Sequence, residues 1–192
     1  EEFIEVSDGQ KMSLGDKTMQ FVYTPWVHWP ETMGTYLPED KMYFSCDFFG
    51  SHLATSSLYV EKPSIVEGPA KRYYAEIMMP FRSFIKKNLK EVDKLEIEMI
   101  APSHGPIYRN PQFIIDAYRD WSGDKVKHEV VIPFVSMHGS TRKMVDYLID
   151  DLIDRGITVK PFNLTQTDLG ELAKALVDTA TVIIASPTVL KG

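Results

Sequence analysis

Three short stretches carry side chains that could hold a metal: His28-Trp29-Pro30-Glu31, Ser45-Cys46-Asp47-Phe48 and Pro102-Ser103-His104-Gly105-Pro106. Imidazole nitrogen with carboxylate oxygen suits iron, manganese or zinc, whereas soft-metal sites need clustered thiolates. Cys46 is the only cysteine, so a disulfide framework, a cysteine-rich zinc site and an iron–sulfur cluster held within the chain are excluded. The Pro and Gly around these histidines make turns, and turns at strand ends let a sheet aim a side chain into a site. Each stretch alone also admits a blander role, since a His beside Trp can pack or cap and Asp47 can simply begin a turn. His52 is near enough to Asp47 to support it or to face solvent, and His128, between Lys127 and Glu129, is expected at the surface.

A second kind of chemistry is offered by Ser136-Met137-His138-Gly139-Ser140-Thr141. Between a strand and a helix start, such a loop presents backbone N–H groups and a helix N-terminus to a phosphate. An ordinary capped turn would use the same Ser and Thr. Ser186-Pro187-Thr188-Val189-Leu190 follows a later strand, where open α/β sheets bind ligands near their topological switch point.

The elements that must position these residues fall into two grammars. Up to about Met99, short strand-like runs alternate with Gly, Asp and Pro; Met19–Tyr23 and Lys41–Ser45 read as strands. Gly68 to about Lys90 turns helical through Tyr74, Ile77, Met78, Phe81, Phe84 and Ile85, and Pro80 predicts a kink or two helices. A polar joint at Ser122–Lys125 sets the expected boundary, giving domains of residues 1–123 and 124–192. Beyond it the pattern predicts strand 129–135, helix 141–155 stopped by Gly156, strand 157–162, helix 168–178 and buried strand 180–185. That βαβαβ order is the start of a doubly wound parallel sheet. Pro133 falls inside its first strand and predicts a local bulge.

The 192 residues are 44% hydrophobic and 25% charged, which places the chain among folding globular sequences. A formal charge of −6 without a Lys/Arg block argues against a nucleic-acid surface. No apolar run approaches the roughly 20 residues of a membrane span, and the first residues lack a basic signal start, so a cytoplasmic protein is expected.

Taken in order, Thr24–Met33, Phe44–Gly50, Ile100–Ile107 and Ser136–Thr141 resemble the signatures of flavodiiron proteins, a likeness that covers nearly the whole chain. The resemblance implies an α/β chain: the C-terminal part of a metallo-β-lactamase-like αββα domain, followed by the first half of a flavodoxin-like doubly wound sheet. It implies an FMN-fed di-iron oxidoreductase reducing dioxygen to water or nitric oxide to nitrous oxide. His28 and His104 would then be terminal iron ligands and Asp47 the bridging carboxylate, with Tyr73 or Tyr74 as the tyrosine near the irons. FMN would be held by Ser136, Met137, His138, Gly139, Ser140 and Thr141, with Ser186, Pro187, Thr188, Val189 and Leu190 beside its ring. Implied partners are a second subunit in a head-to-tail homodimer or homotetramer, and a donor such as rubredoxin or a reduced deazaflavin. The family's His-x-Glu-x-Asp-His motif, which supplies its remaining ligands, does not occur here. A missing amino-terminal portion is therefore expected, along with an inactive isolated fragment. Three alternatives stay open at this level: a zinc hydrolase of the same fold, an FMN electron-transfer module without metal chemistry, and a purely structural fragment that stays folded through its neighbours.

Overall fold

A computed structural model describes residues 3–189, which divide into two compact units, Glu1–Gly123 and Asp124–Gly192. The first is built on a five-stranded sheet of β1 (Lys11–Ser13), β2 (Thr18–Tyr23), β3 (Met33–Leu37), β4 (Met42–Cys46) and β5 (Met99–Pro102), in that spatial order. The β1–β2, β2–β3 and β3–β4 pairs are antiparallel, and β4–β5 is parallel. A parallel pair needs a long crossover. Here it contains α1 (Pro63–Tyr73), a π-helical turn (Tyr74–Met78), a 3-10 turn (Met79–Phe81) and α2 (Arg82–Val92). The expected break thus falls where Pro80, with no N–H to give, sits in the 3-10 turn. The helical run begins earlier than expected, at Pro63, because proline suits the first turn of a helix.

One face of the sheet is buried. Val22, Tyr36 and Tyr43 point into the core, while Phe44 on the alternate face is exposed. Gly34 belongs to the buried face and is covered by the Tyr43 ring; a Cβ there would stand 2.4 Å from it. The rest of this core comes from the helices, including Val66, Met78, Ile85 and Leu89. A further helix, α3 (Gln112–Ser122), was not anticipated, although Ile114, Ile115, Tyr118 and Trp121 form its buried side at helical spacing.

The second unit contains β6 (Lys127–Phe134), α4 (Ser140–Asp154), β7 (Thr158–Asn163), α5 (Leu169–Leu176) and β8 (Thr179–Val182). Its strands are all parallel, in the order β7-β6-β8. Val130, Ile132, Phe134 and Val145 form its buried cluster, against which Leu148, Leu152 and Ile183 pack. The Asp168 carboxylate caps α5 by accepting from the Gly170 N–H at 2.8 Å.

The bulge expected at Pro133 is absent from the β6–β7 pair, whose register runs unbroken from Glu129–Thr158 to Phe134–Asn163. The loss falls on the other side. Val131 and Pro133 carbonyls accept from Ile183 and Ala185 at 2.9 and 3.1 Å, but Pro133 has no N–H to return toward β8. Continuous β8 accordingly stops at Val182, short of the expected 185, and only an isolated Phe134–Ala185 bridge follows. Among the described residues no helix is long and apolar enough to cross a membrane.

Replacing Gly34 by Ala should destabilise the protein by about 1–3 kcal/mol through overpacking against Tyr43. Gly68→Ala, in open space within α1, should instead stabilise by about 0.5–1 kcal/mol. Urea unfolding midpoints would show the opposite signs.

Candidate functional site

The His28 side chain stands on the loop joining β2 to β3. Thr24 N–H donates to the Thr32 carbonyl at 2.9 Å and Trp26 N–H to the Trp29 carbonyl at 2.7 Å, closing that loop on itself. The Asn88 amide of α2 donates to the Pro25 carbonyl at 2.9 Å, and the Trp26 ring lies 6.1 and 5.7 Å from the rings of Phe81 and Phe84. The imidazole itself sits between Trp29 and Phe81, with ring centres 5.8 and 6.4 Å away. The Val27–His28 peptide is cis.

Asp47 follows β4 directly. Two non-glycine residues beside it, Cys46 and Phe49, have φ of 54° and 66°, and Trp26 in the His28 loop has 64°. Such backbone costs about 1–3 kcal/mol per residue and persists only where surrounding bonds enforce it. The enforcing bonds are visible. Ser45 hydroxyl donates to the Phe48 carbonyl at 2.6 Å, and the buried Tyr108 hydroxyl donates to the Phe49 carbonyl at 2.9 Å. Gly50 N–H donates to the Asp47 carbonyl at 3.2 Å. His104 follows β5, and Ser103 N–H donates to the Cys46 carbonyl at 2.7 Å across the parallel β4–β5 pair.

These loops bring the three proposed ligands together. His28 Nε2 lies 3.3 Å from one carboxylate oxygen of Asp47, and His104 Nε2 lies 3.3 Å from the other. The carboxylate is mostly shielded, at 19% exposure, against 27% for His28 and 50% for His104. Among the described residues no three His, Cys, Asp or Glu side chains gather as a site for a single ion. The linear order explains this: one nitrogen meets one oxygen at each end of the carboxylate, making two donor pairs rather than one closed cage. A group bridging two cations has this form, and each pair needs further donors before it binds tightly.

Of the two candidate tyrosines, the structure brings only Tyr73 here. Its buried ring lies 5.8 Å from His104 and 4.9 Å from His52, and an added Cβ on Gly50 would touch it at 3.0 Å. Burial first, then the charges of Asp47 and Cys46, hold its phenol well above the ordinary value, so it stays protonated. Tyr74 turns away, its hydroxyl donating to the Trp121 carbonyl at 3.2 Å and its ring packing on Tyr118; it belongs to the core. His52 stands at the edge of the Tyr73 ring, and His128 is exposed as expected. Tyr108, which clamps the carboxylate loop, was missed, because the sequence signal of a buried clamp is indistinguishable from that of any core aromatic. A cavity of about 730 Å³ borders the centre through Cys46, Ser103 and Gly105, but none of the three ligand candidates lines it.

In the second unit Ser136–Thr141 joins β6 to α4. Gly139 caps the helix at φ 83°, with nothing within 4 Å of where a Cβ would be and no side chain of its own to cap the first turn. Ser136 hydroxyl accepts from Arg142 N–H at 3.2 Å, bending the loop back over the helix start. Met137, His138, Gly139 and Ser140 are exposed and Thr141 is buried. Ser186, Pro187, Thr188 and Val189 leave the carboxyl end of the adjacent parallel segment, tied by a 3.0 Å bond from Val135 N–H to the Ala185 carbonyl; Leu190 lies outside the described residues. Asn163–Thr167, beyond the carboxyl end of β7, borders the same edge through a 3.0 Å bond from Leu164 N–H to the Phe134 carbonyl. This third loop was not singled out in the sequence, since its Asn and Thr read as a plain turn.

The sequence pattern of the family described as ODP family beta lactamase matches residues 1–105, which include His28, Asp47 and His104. The chain belongs to the ODP beta-lactamase family. Its relatives include a nitric oxide reductase of Moorella thermoacetica, 39% identical over 96% of this chain and 47% of that protein. A coenzyme F420H2 oxidase of Methanothermobacter marburgensis is 37% identical over 98% of this chain and 48% of that protein. Among solved structures, the flavodiiron protein from Giardia intestinalis superposes with a TM-score of 0.91 at 32% identity, over 97% of this chain and 47% of that one. The likeness to flavodiiron proteins and the α/β architecture it implied are thereby found, and this ODP chain spans about half the length of the relatives it matches.

Tyr108→Phe should leave the Phe49 carbonyl without its donor and destabilise the protein by about 1–3 kcal/mol, read by urea unfolding. Burial pushes the phenols of Tyr74 and Tyr108 up to about 12, the Ser51 hydroxyl drawing the latter back. Both groups are therefore stabilised in the neutral form. Their contribution is complete below pH 10 and should be lost between about pH 10 and 12, which alkaline unfolding titrations of wild type and Tyr108→Phe would register.

Proposed function

We propose that this stretch supplies the bridging half of a di-iron centre and the phosphate loop of an FMN site, in an oxidoreductase that reduces dioxygen to water or nitric oxide to nitrous oxide. The observation that carries the proposal is the His28–Asp47–His104 line, with one imidazole at each oxygen of a single shielded carboxylate. The fit is chemical as well as geometric: nitrogen and carboxylate donors suit iron, and these residues offer a single thiol, too few for a thiolate cluster of their own. When bound, paired iron ions at a bridging carboxylate supply electrons and a Lewis-acidic contact to a small substrate.

The chain's own residues have definable tasks. Asp47 holds the two donor pairs at a fixed separation, because its loop is clamped by Ser45 and Tyr108. Trp29 and Phe81 hold the His28 ring and screen it from water. Tyr73 keeps its proton and presents a neutral phenol beside His104 and His52. In the second unit, the strand order β7-β6-β8 makes the gap between the β6 and β8 loops a switch point, where a mononucleotide binds in flavodoxin-like sheets. Ser136–Thr141 at the α4 N-terminus fits its phosphate, and Ser186–Val189 the side of its ring. Residues 1–123 are accordingly the di-iron domain and residues 124–192 the FMN domain. A second subunit, head to tail, brings FMN to the irons, and rubredoxin or a reduced deazaflavin feeds the flavin.

The full-length protein should contain both iron and FMN on metal and flavin analysis. Asp47→Asn should weaken iron binding beyond the about 10- to 100-fold that loss of a mere supporting partner costs. FMN content should be unchanged in that variant. Zinc without flavin in the wild-type protein would sink the oxidoreductase and favour a hydrolase.

A further inference from the structure

We infer that Ser51 and Gly105 form a lock that positions His104 against Asp47; the inference rests on those two residues being metal ligands, as proposed above. The need for a lock is clear from the asymmetry of the two imidazoles. Each has two ring neighbours, Trp29 and Phe81 for His28 and Tyr73 and His52 for His104, yet His28 is 27% exposed and His104 50%.

What fixes His104 is backbone. On its amino side, Ser103 N–H donates to the Cys46 carbonyl at 2.7 Å. Its own carbonyl accepts from Ser51 N–H at 3.0 Å. On its carboxyl side, Gly105 lies so close to Ser51 that an added Cβ would stand 2.2 Å from the Ser51 hydroxyl oxygen and 3.0 Å from the Ser51 carbonyl oxygen. His104 is thus gripped by residues flanking Asp47 on both sides, Cys46 and Ser51. Main-chain contacts thus fix the His104 backbone against the carboxylate loop.

Two details single out this contact. Gly105 has φ 87°, and among the described glycines it alone joins a positive φ to a close neighbour; Gly9, Gly15, Gly139 and Gly156 meet nothing within 4 Å. The Ser51 hydroxyl is buried with no hydrogen bond of acceptable geometry, although it lies near the Tyr108 phenol. It fills the space that a side chain at position 105 would take. Ser51 is a positioning residue through its backbone N–H, which holds the His104 carbonyl, and its side chain leaves room only for glycine at position 105.

The experiment titrates Co2+ alone into metal-free full-length protein, reading the affinity of each of the two sites from the visible spectrum and stability from thermal unfolding. Gly105→Ala should weaken one site by more than about tenfold and leave the other nearly unchanged. Ser51→Ala alone should change little, because Gly105 carries no Cβ; against alanine at position 105 it removes the 2.2 Å contact and leaves ones of 3.0 and 3.4 Å. The double variant should recover part of the lost affinity, about twofold or more, because Ser51→Ala removes the side-chain clash but not the strain of alanine at φ 87°. A lower melting temperature with both sites weakened equally would mean a merely structural glycine and overturn the lock. So would wild-type binding in Gly105→Ala, or a loss that Ser51→Ala does not relieve. Failure of the wild-type protein to bind Co2+ at all would overturn the ligand assignment itself and the lock with it.

Discussion

The parallel pairing of β4 with β5 is the constraint on which the first unit depends. Parallel neighbours end on the same edge, so Asp47, directly after β4, and His104, two residues after β5, emerge side by side. The register shift between Phe44 and Cys46 falls at that edge, and the Ser103-to-Cys46 hydrogen bond closes it. Parallel pairing also demands a long crossover, and the crossover is put to use. It contains Tyr73, which faces the histidines, and Phe81, which packs on His28.

Strain collects where these loops meet. Trp26, Cys46 and Phe49 all occupy left-handed backbone, and all lie within three residues of His28 or Asp47. Buried hydroxyls hold the strained carboxylate loop in place: Tyr108 on the Phe49 carbonyl and Ser45 on the Phe48 carbonyl. The stacked Phe48 and Phe49 rings, 4.0 Å apart, lie against Tyr118 and tie the same loop to α3. A helix that carries no candidate ligand thereby supports the site.

The second unit solves a different problem with the same device. Its strands β6 and β8 are parallel neighbours whose following loops leave one edge, and Gly139 at the start of α4 keeps that edge free of side-chain bulk. Pro133 weakens the β8 side of the ladder just before the loops begin. The sheet survives because β7 pairs with β6 through an unbroken register on the other side.

By itself, the sequence determined the donor types available to the candidate site, the two-part organisation, the βαβαβ order and the helical break at Pro80. These rest on local chemistry: donor atoms, apolar period, and proline's missing N–H. It also pointed to His28, Asp47 and His104, whose meeting no spacing could reveal and only the family resemblance implied. Tertiary structure decided that they meet in a line, one imidazole per carboxylate oxygen. It chose Tyr73 over Tyr74, adjacent residues with the same side chain, because their directions depend on where a π-helical turn begins at position 74. It moved the effect of Pro133 from a bulge to a shortened neighbour, since which strand faces the absent N–H is a property of sheet order. Long-range contacts set each of these outcomes, and a one-dimensional pattern carries no distances between residues far apart in the chain.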